Sequence, residues 1–348
     1  MTRDIDEPDD PRGFRITGSP IPRRFAVWIP RWTGGHEFPE KYAMSMLSNL
    51  CLLFLLAATP SIFCWKISAQ STVAAHDEDA SSRHYQAGLN FYQARKLKAA
   101  EAEFRKAIRI NPKCSQCHFE LGKTLLGESR GLEAIAEIQQ AASLDPHNMP
   151  VHSELATLLL HDKRCSEAEA EYEHIVQLAS DEKDKVGGLY GLVLAFDCQQ
   201  RYMEASVLSR QGIQLYPEFS GFYSYLGDYL LNKEKKYTEA EETARRGINR
   251  FPDDFILYNI LGYAIGYQNR WVEAEPVFRK QVELAPGFAN PHDSLGDDLY
   301  EQGRYAEAES EYRKAIQLEP NTAIFQEHLK NVLKARQEQQ RETPKSNP

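Results

Sequence analysis

The chain has 348 residues, 42% of them apolar and 26% charged, proportions that suit a folded body and leave room for more than one domain. A net charge of −9 excludes a general nucleic-acid binder, whose surface must be basic enough to displace the counterions of the phosphate backbone.

Residues 1–43 carry Pro8, Pro11, Pro20, Pro22, Pro30 and Pro39, mixed charges and no apolar period, and read as a disordered extension. Met44 and Met46 stand just before the first long apolar run, so a start there would leave that extension untranslated. Residues 44–75 hold the run, centred on residues 51–58 and interrupted by Ser48, Asn49, Thr59, Pro60 and Ser61. The interruptions suit the apolar region of a secretory signal peptide better than a permanent span, and the small residues Ser68, Ala69, Ala74 and Ala75 offer cleavage sites. An uncleaved membrane anchor through 44–65 is the alternative. Neither Cys51 nor Cys64 follows a lipid-attachment pattern. Both readings predict an exported protein, periplasmic or membrane-anchored and extracytoplasmic.

A repeat occupies the next part of the chain. Ala100, Ala134, Ala168, Ala205, Ala240, Ala274 and Ala308 are spaced 34, 34, 37, 35, 34 and 34 residues apart. Pro112, Pro146, Pro217, Pro252, Pro286 and Pro320 keep the same beat, with Asp181 where one proline is missing. Gly88, Gly122, Gly227, Gly262 and Gly296 share it. Glycine inside a helix costs about 1 kcal/mol against alanine, a cost accepted where another helix must come close. The alanines serve the same purpose on a second helix, and proline ends that helix because it lacks a donor and clashes with the preceding turn. Large residues alternate with the small ones, Phe91 and Leu125 on first helices, Phe104, Tyr172, Phe278 and Tyr312 on second helices.

The unit of Leu-Gly, a large residue three positions on, then Ala, an aromatic, Ala and Pro resembles the tetratricopeptide repeat. The fullest examples are His84…Gly88…Phe91…Ala100…Phe104…Ala107…Pro112 and His292…Gly296…Leu299…Ala308…Tyr312…Ala315…Pro320. The resemblance covers seven units over 81–322, beginning near Ser81, Ser115, Met149, Val186, Ser220, Phe255 and Ala289. It implies an all-α, right-handed superhelical solenoid of antiparallel helix hairpins. The fourth unit departs most: Lys183-Asp184-Lys185 is extra, Val193 replaces glycine and Ser209 replaces the aromatic, so a local irregularity is expected there. The fifth has one extra residue in 232–236. Residues 323–341 are expected to form a capping helix with Ile324, Phe325, Leu329, Val332 and Leu333 on its apolar face, followed by a disordered tail at 342–348.

Several short patterns carry chemistry elsewhere. Cys114-Ser-Gln-Cys117-His118 matches the c-type haem attachment pattern, but His118 is the fourth residue of its unit, as are His84, His152 and His292, so the repeat accounts for it. Gly127-Glu-Ser129-Arg-Gly131 matches a nucleophile elbow but falls between helices instead of after a strand. No cofactor and no metal site is expected. If a signal is removed, Cys114, Cys117, Cys165 and Cys198 remain, with three possible connectivities. Cys165 starts a second helix and Cys198 ends the next unit's first helix; these helices should run antiparallel, which favours a Cys165–Cys198 bridge over free buried thiols. A Cys114–Cys117 bridge needs a turn that suits it.

In the family resembled, first helices line a concave groove. The matching positions are Tyr85, Leu89, Tyr92, Phe119, Lys123 and Leu126 in an aromatic N-terminal half, then Tyr190, Leu194, Asp197 and Asp228, then Asn259, Tyr263, Tyr267, Asp297, Tyr300 and Glu301 in an acidic, tyrosine-rich C-terminal half. Amphipathic aromatics favour contact surfaces. The family's clamp for peptide carboxylates needs Lys, Arg and Asn, and Lys123 and Asn259 are the only candidates. The expected function is therefore a non-enzymatic interaction scaffold of the cell envelope, holding an extended peptide with basic and apolar residues, or an assembly partner. The alternative is a recognition or adaptor subunit for a separate enzyme or secretion complex. Self-association is open.

Overall fold

The structure, a computed structural model, describes residues 79–342. The extension, the signal or anchor, and all of the tail but Glu342 lie outside the described residues. Fifteen helices and no strand occur among them. They form seven pairs: α1 (residues 79–93) with α2 (Leu97–Ile110), α3 (Ser115–Gly127) with α4 (Gly131–Leu144), α5 (Met149–His161) with α6 (Cys165–Leu178), and α7 (Glu182–Cys198) with α8 (Tyr202–Leu215). Then follow α9 (Ser220–Asn232) with α10 (Tyr237–Arg250), α11 (Phe255–Gly266) with α12 (Trp271–Leu284), α13 (Ala289–Glu301) with α14 (Tyr305–Leu318), and the single α15 (Ala323–Glu342). Each helix packs on the next, and α5 also touches α7, α9 touches α11, α11 touches α13, and α13 touches α15. The chain is thus an all-α solenoid. Among the described residues no helix is long and apolar enough to cross a membrane.

The pairs are closed by one backbone device. The residue two places before each second helix has positive φ: Arg95, Ser129, Lys163, Gln200, Lys235, Asn269 and Gly303. A left-handed residue just past a helix end reverses the chain while satisfying its last carbonyls. Ser129, the serine of the Gly-x-Ser-x-Gly pattern, is one of these turn residues.

Within the pairs, a small residue receives a large one. A Cβ placed on Gly262 would lie 2.5 Å from Phe278 Cζ, and one on Gly122 would lie 2.4 Å from Ile138 Cγ1. The nearest neighbour is a side chain in both cases, and at Gly122 the Ala134 carbonyl of the partner helix also lies 3.2 Å from that Cβ position. The fourth unit exchanges the roles. Val193 stands at the glycine position and Ser209 at the aromatic position, and both are fully buried. The unit's extra residues do not form a loop. α7 begins at Glu182 rather than near Val186, because Asp181, in place of proline, caps the helix by accepting the Asp184 N–H at 2.8 Å.

Polar contacts repeat with the same period. The Nδ1 atoms of His84, His118, His152 and His292 lie 2.6–2.7 Å from carboxylates nineteen residues later, those of Glu103, Glu137, Glu171 and Glu311. The Nε2 atoms of His118 and His292 lie 3.3 and 3.4 Å from the carbonyls of Pro112 and Pro286, and Tyr258 donates to that of Pro252. At Pro146 the equivalent position is taken by His174, leaving His152 Nε2 buried without a partner. Along the edge formed by the turns, Arg130, Arg201, Arg270 and Arg304 each fork to a glutamate three residues on and reach back to the preceding unit, to Glu101, Glu169, Glu241 and Glu275. A single exposed ion pair contributes roughly 0–1 kcal/mol, so the ladder acts by fixing the register between units more than by its sum.

The last helix departs from expectation in detail. Phe325 and Val332 are buried, but Ile324 is 47% exposed. Adjacent residues on a helix point about 100° apart, so Ile324 cannot share the face of Phe325.

The glycine–aromatic interlock gives a direct test. Gly262→Ala should destabilise the chain by about 1–3 kcal/mol, because Phe278 is fully buried and has no free space to retreat into. Urea unfolding followed by helical circular dichroism checks this; an unchanged midpoint would show that the interlock does not constrain the pair.

Candidate functional site

The expected positions lie on the first helices or just past them, and α5 touches α7, α9 touches α11 and α11 touches α13 side by side; this side is here called the first-helix face. At its N-terminal end, Tyr85, Leu89, Tyr92 and Leu126 pack over Phe104, Leu121 and Leu125. The Lys123 ammonium lies 5.7 Å from the Tyr92 ring centre and 5.3 Å from that of Phe119, and it donates to Glu120 at 3.0 Å. Further along, Tyr190 sits edge-on to Phe219 and Phe222, and Asp197 accepts the Tyr225 hydroxyl at 2.8 Å. Asp228 is exposed and accepts a bond from Asn232. Leu194 is half-buried beside them. The Asn259 amide donates to Ser294 at 2.8 Å. Lys123 and Asn259, the candidates for a carboxylate clamp, are thus both engaged within the protein.

The C-terminal end of this face is more enclosed. Tyr263, Tyr267, Asp297, Tyr300 and Glu301 line a pocket of about 270 Å³ together with Trp271, Tyr312, His328 and Asn331. The last four were not among the expected groove residues, since they come from second helices and from α15. Asp297 accepts hydroxyls from Tyr263 at 2.7 Å and Tyr312 at 2.8 Å. Burial, followed by the neighbouring Asp293, pushes the Asp297 carboxyl up from its ordinary value. The His328 imidazole is pushed up chiefly by its hydrogen bond to Asp293, at 2.9 Å. Asp293, Asp297 and His328 present oxygen and nitrogen atoms within 4.8 Å of one another, a grouping that their sequence spacing did not bring out.

The four cysteines among the described residues are paired. Cys165 and Cys198 are disulfide-bonded with Cα atoms 5.7 Å apart, which ties the start of α6 to the end of α7 at the irregular fourth unit. Cys114 and Cys117 are also bonded, with Cα atoms 5.2 Å apart at the start of α3. In the haem-like pattern, then, the two sulfurs are joined to each other and the His118 ring is held by Glu137 and the Pro112 carbonyl.

Asp298, beside the pocket on α13, turns the other way. It is fully buried, accepts a bond from Gln302 at 2.7 Å, and leaves Oδ1 without a partner. Burial pushes its carboxyl up to about 7 from 3.8. A carboxyl raised on folding gives its full contribution below its unfolded value and loses it as pH rises through the folded one. Asp298→Asn removes this titration. The stability of the variant relative to wild type should grow by about 3 kcal/mol between about pH 4 and about pH 8. Thermal melts across that range check it; parallel profiles would contradict the assignment.

Family profiles described as tetratricopeptide repeat match residues 85–148 and 289–322. No curated protein sequence matches the chain. Among solved structures 354 chains match, too many for the fold to select a function. One is the crystal structure of a tetratricopeptide repeat protein from Parabacteroides merdae, which is similar at 18% identity with a TM-score of 0.57 over 73% of this chain and 99% of that one. With the repeat period, the paired helices and the family profiles in agreement, the chain carries tetratricopeptide repeats.

Proposed function

We propose that the protein is a non-catalytic interaction scaffold that holds an extended segment of another protein against its first-helix face. Tetratricopeptide repeats support protein–protein interaction in general, and one observation carries the reading here. The first-helix face carries half-buried aromatics towards both ends, Tyr85, Tyr92 and Phe119, then Tyr190, then Tyr263 and Tyr300, with α5 contributing none. Such residues offer large contact area with little side-chain entropy to lose. The internal engagement of Lys123 and Asn259 argues against an acidic C-terminal tail as the ligand.

We place this scaffold outside the cytoplasm, in the cell envelope. The support is the pairing of all four cysteines among the described residues, since disulfides persist in oxidising compartments. The apolar run at 44–65 would deliver or tether it.

A crosslinked pull-down from the cell envelope tests the proposal, comparing wild type with the combined variant Tyr85→Ala, Phe119→Ala and Tyr190→Ala. The expected result is a stoichiometric partner retained by wild type and lost, by about tenfold or more, from a variant that keeps its helical circular dichroism. Equal recovery from both would remove the function from this face.

A further inference from the structure

We propose that the pocket between α11, α13 and α15 is a receptor for an arginine side chain of the partner segment. The proposal rests on the scaffold reading and deepens it by naming the chemistry of one anchor.

The walls of the pocket are aromatic. Tyr267 stacks on Tyr263 with ring centres 5.6 Å apart, meets Trp271 edge-on at 5.8 Å, and remains 45% exposed. The electron-rich faces of such rings attract a cation placed over them. The floor is anionic. Two phenol hydroxyls, from Tyr263 and Tyr312, hold Asp297 in one orientation. A carboxylate has about four acceptor positions; Oδ1 takes Tyr312 and has His328 Nδ1 3.5 Å away, while Oδ2 takes only Tyr263 among these and keeps a position for a donor in the pocket.

The acids here are answered by a single base, His328, which lies 2.9 Å from Asp293 and 3.5 Å from Asp297. Asp293, Asp297 and Glu301 follow one another at four-residue intervals along one face of α13. Like charges at that spacing destabilise a helix. Elsewhere the protein answers its acids with arginines: Glu101, Glu241, Glu275 and Glu309 each accept from two of them. No lysine or arginine lines this pocket, and His328 is the one base among its lining residues. A cation supplied from outside completes the pattern.

The geometry selects arginine over lysine. A guanidinium is planar and delocalised, so it can lie against Tyr267 and Trp271 while its fork meets a carboxylate; an ammonium is a strongly hydrated point charge that gains less from flat walls.

The test uses the full chain labelled with 5-fluorotryptophan, with the Trp271 resonance assigned from Trp271→Phe. The blocked tripeptide Ac-Ala-Arg-Ala-NH2 is titrated and followed by fluorine NMR. The expected result is a saturable shift of that resonance. The citrulline tripeptide, neutral and nearly the same shape, should bind about tenfold more weakly, as should the arginine tripeptide to Asp297→Asn. Because Asp297 also anchors two tyrosines, the exposed Glu301→Gln serves as a second variant, with an expected weakening of about threefold. Equal response to arginine and citrulline, no saturable shift, or a shift produced by zinc or calcium ions alone would each overturn the proposal. If the arginine tripeptide fails while partner capture still depends on Tyr85, Phe119 and Tyr190, the pocket assignment falls and the scaffold stands. If the tripeptide binds while capture ignores those residues, the scaffold reading falls and the arginine site must serve another ligand.

Discussion

A helical hairpin of this size cannot cover its own apolar side, so every unit depends on the next one for its core. The close approach that this requires is visible both within and between units. Gly262 receives Phe278 inside a pair, while Gly212 receives Phe222 and Gly247 receives Leu257 from one pair to the next. Stacking is therefore not an arrangement of finished parts. It completes them, and it also lines up the first helices side by side. The surface available for binding is a consequence of the same contacts that make the core.

The electrostatics divide the stack into two kinds of surface. The carbonyls of Pro112, Pro252 and Pro286 are covered by the fourth residue of the following unit, and at the turn edge arginines and glutamates satisfy one another from unit to unit. On the first-helix face the pattern changes toward the C-terminal end, where phenols and carboxylates meet without arginine or lysine. The Cys165–Cys198 bridge lies at the junction where the period slips by three residues, and it joins two units that have lost the usual proline between them. A covalent link there limits separation of the units at the place where the repeat is least regular.

The period was legible in the sequence because glycine, alanine and proline answer to backbone geometry, which tolerates few substitutes. The His at the fourth position was legible as a repeat feature, though not its two partners, since a glutamate nineteen residues away meets it only across the pair. Two features were misplaced for local reasons: the start of α7, where the Asp181 cap extends the helix, and Ile324, which lies out of phase with Phe325. The groove positions on first helices could be counted from the frame. Trp271, Tyr312 and His328 could not, because they enter the pocket from a turn-proximal second-helix position, a core position and the terminal helix, and only the stack brings them together.

Site-specific photocrosslinking in cells tests whether a partner binds at the first-helix face. A benzophenone amino acid would replace Tyr267 on that face or Leu132, which is 72% exposed on the second helix α4. A discrete protein adduct is expected from position 267, with none of the same mass shift from position 132. The same adduct from position 132, with none from 267, would contradict binding at that face.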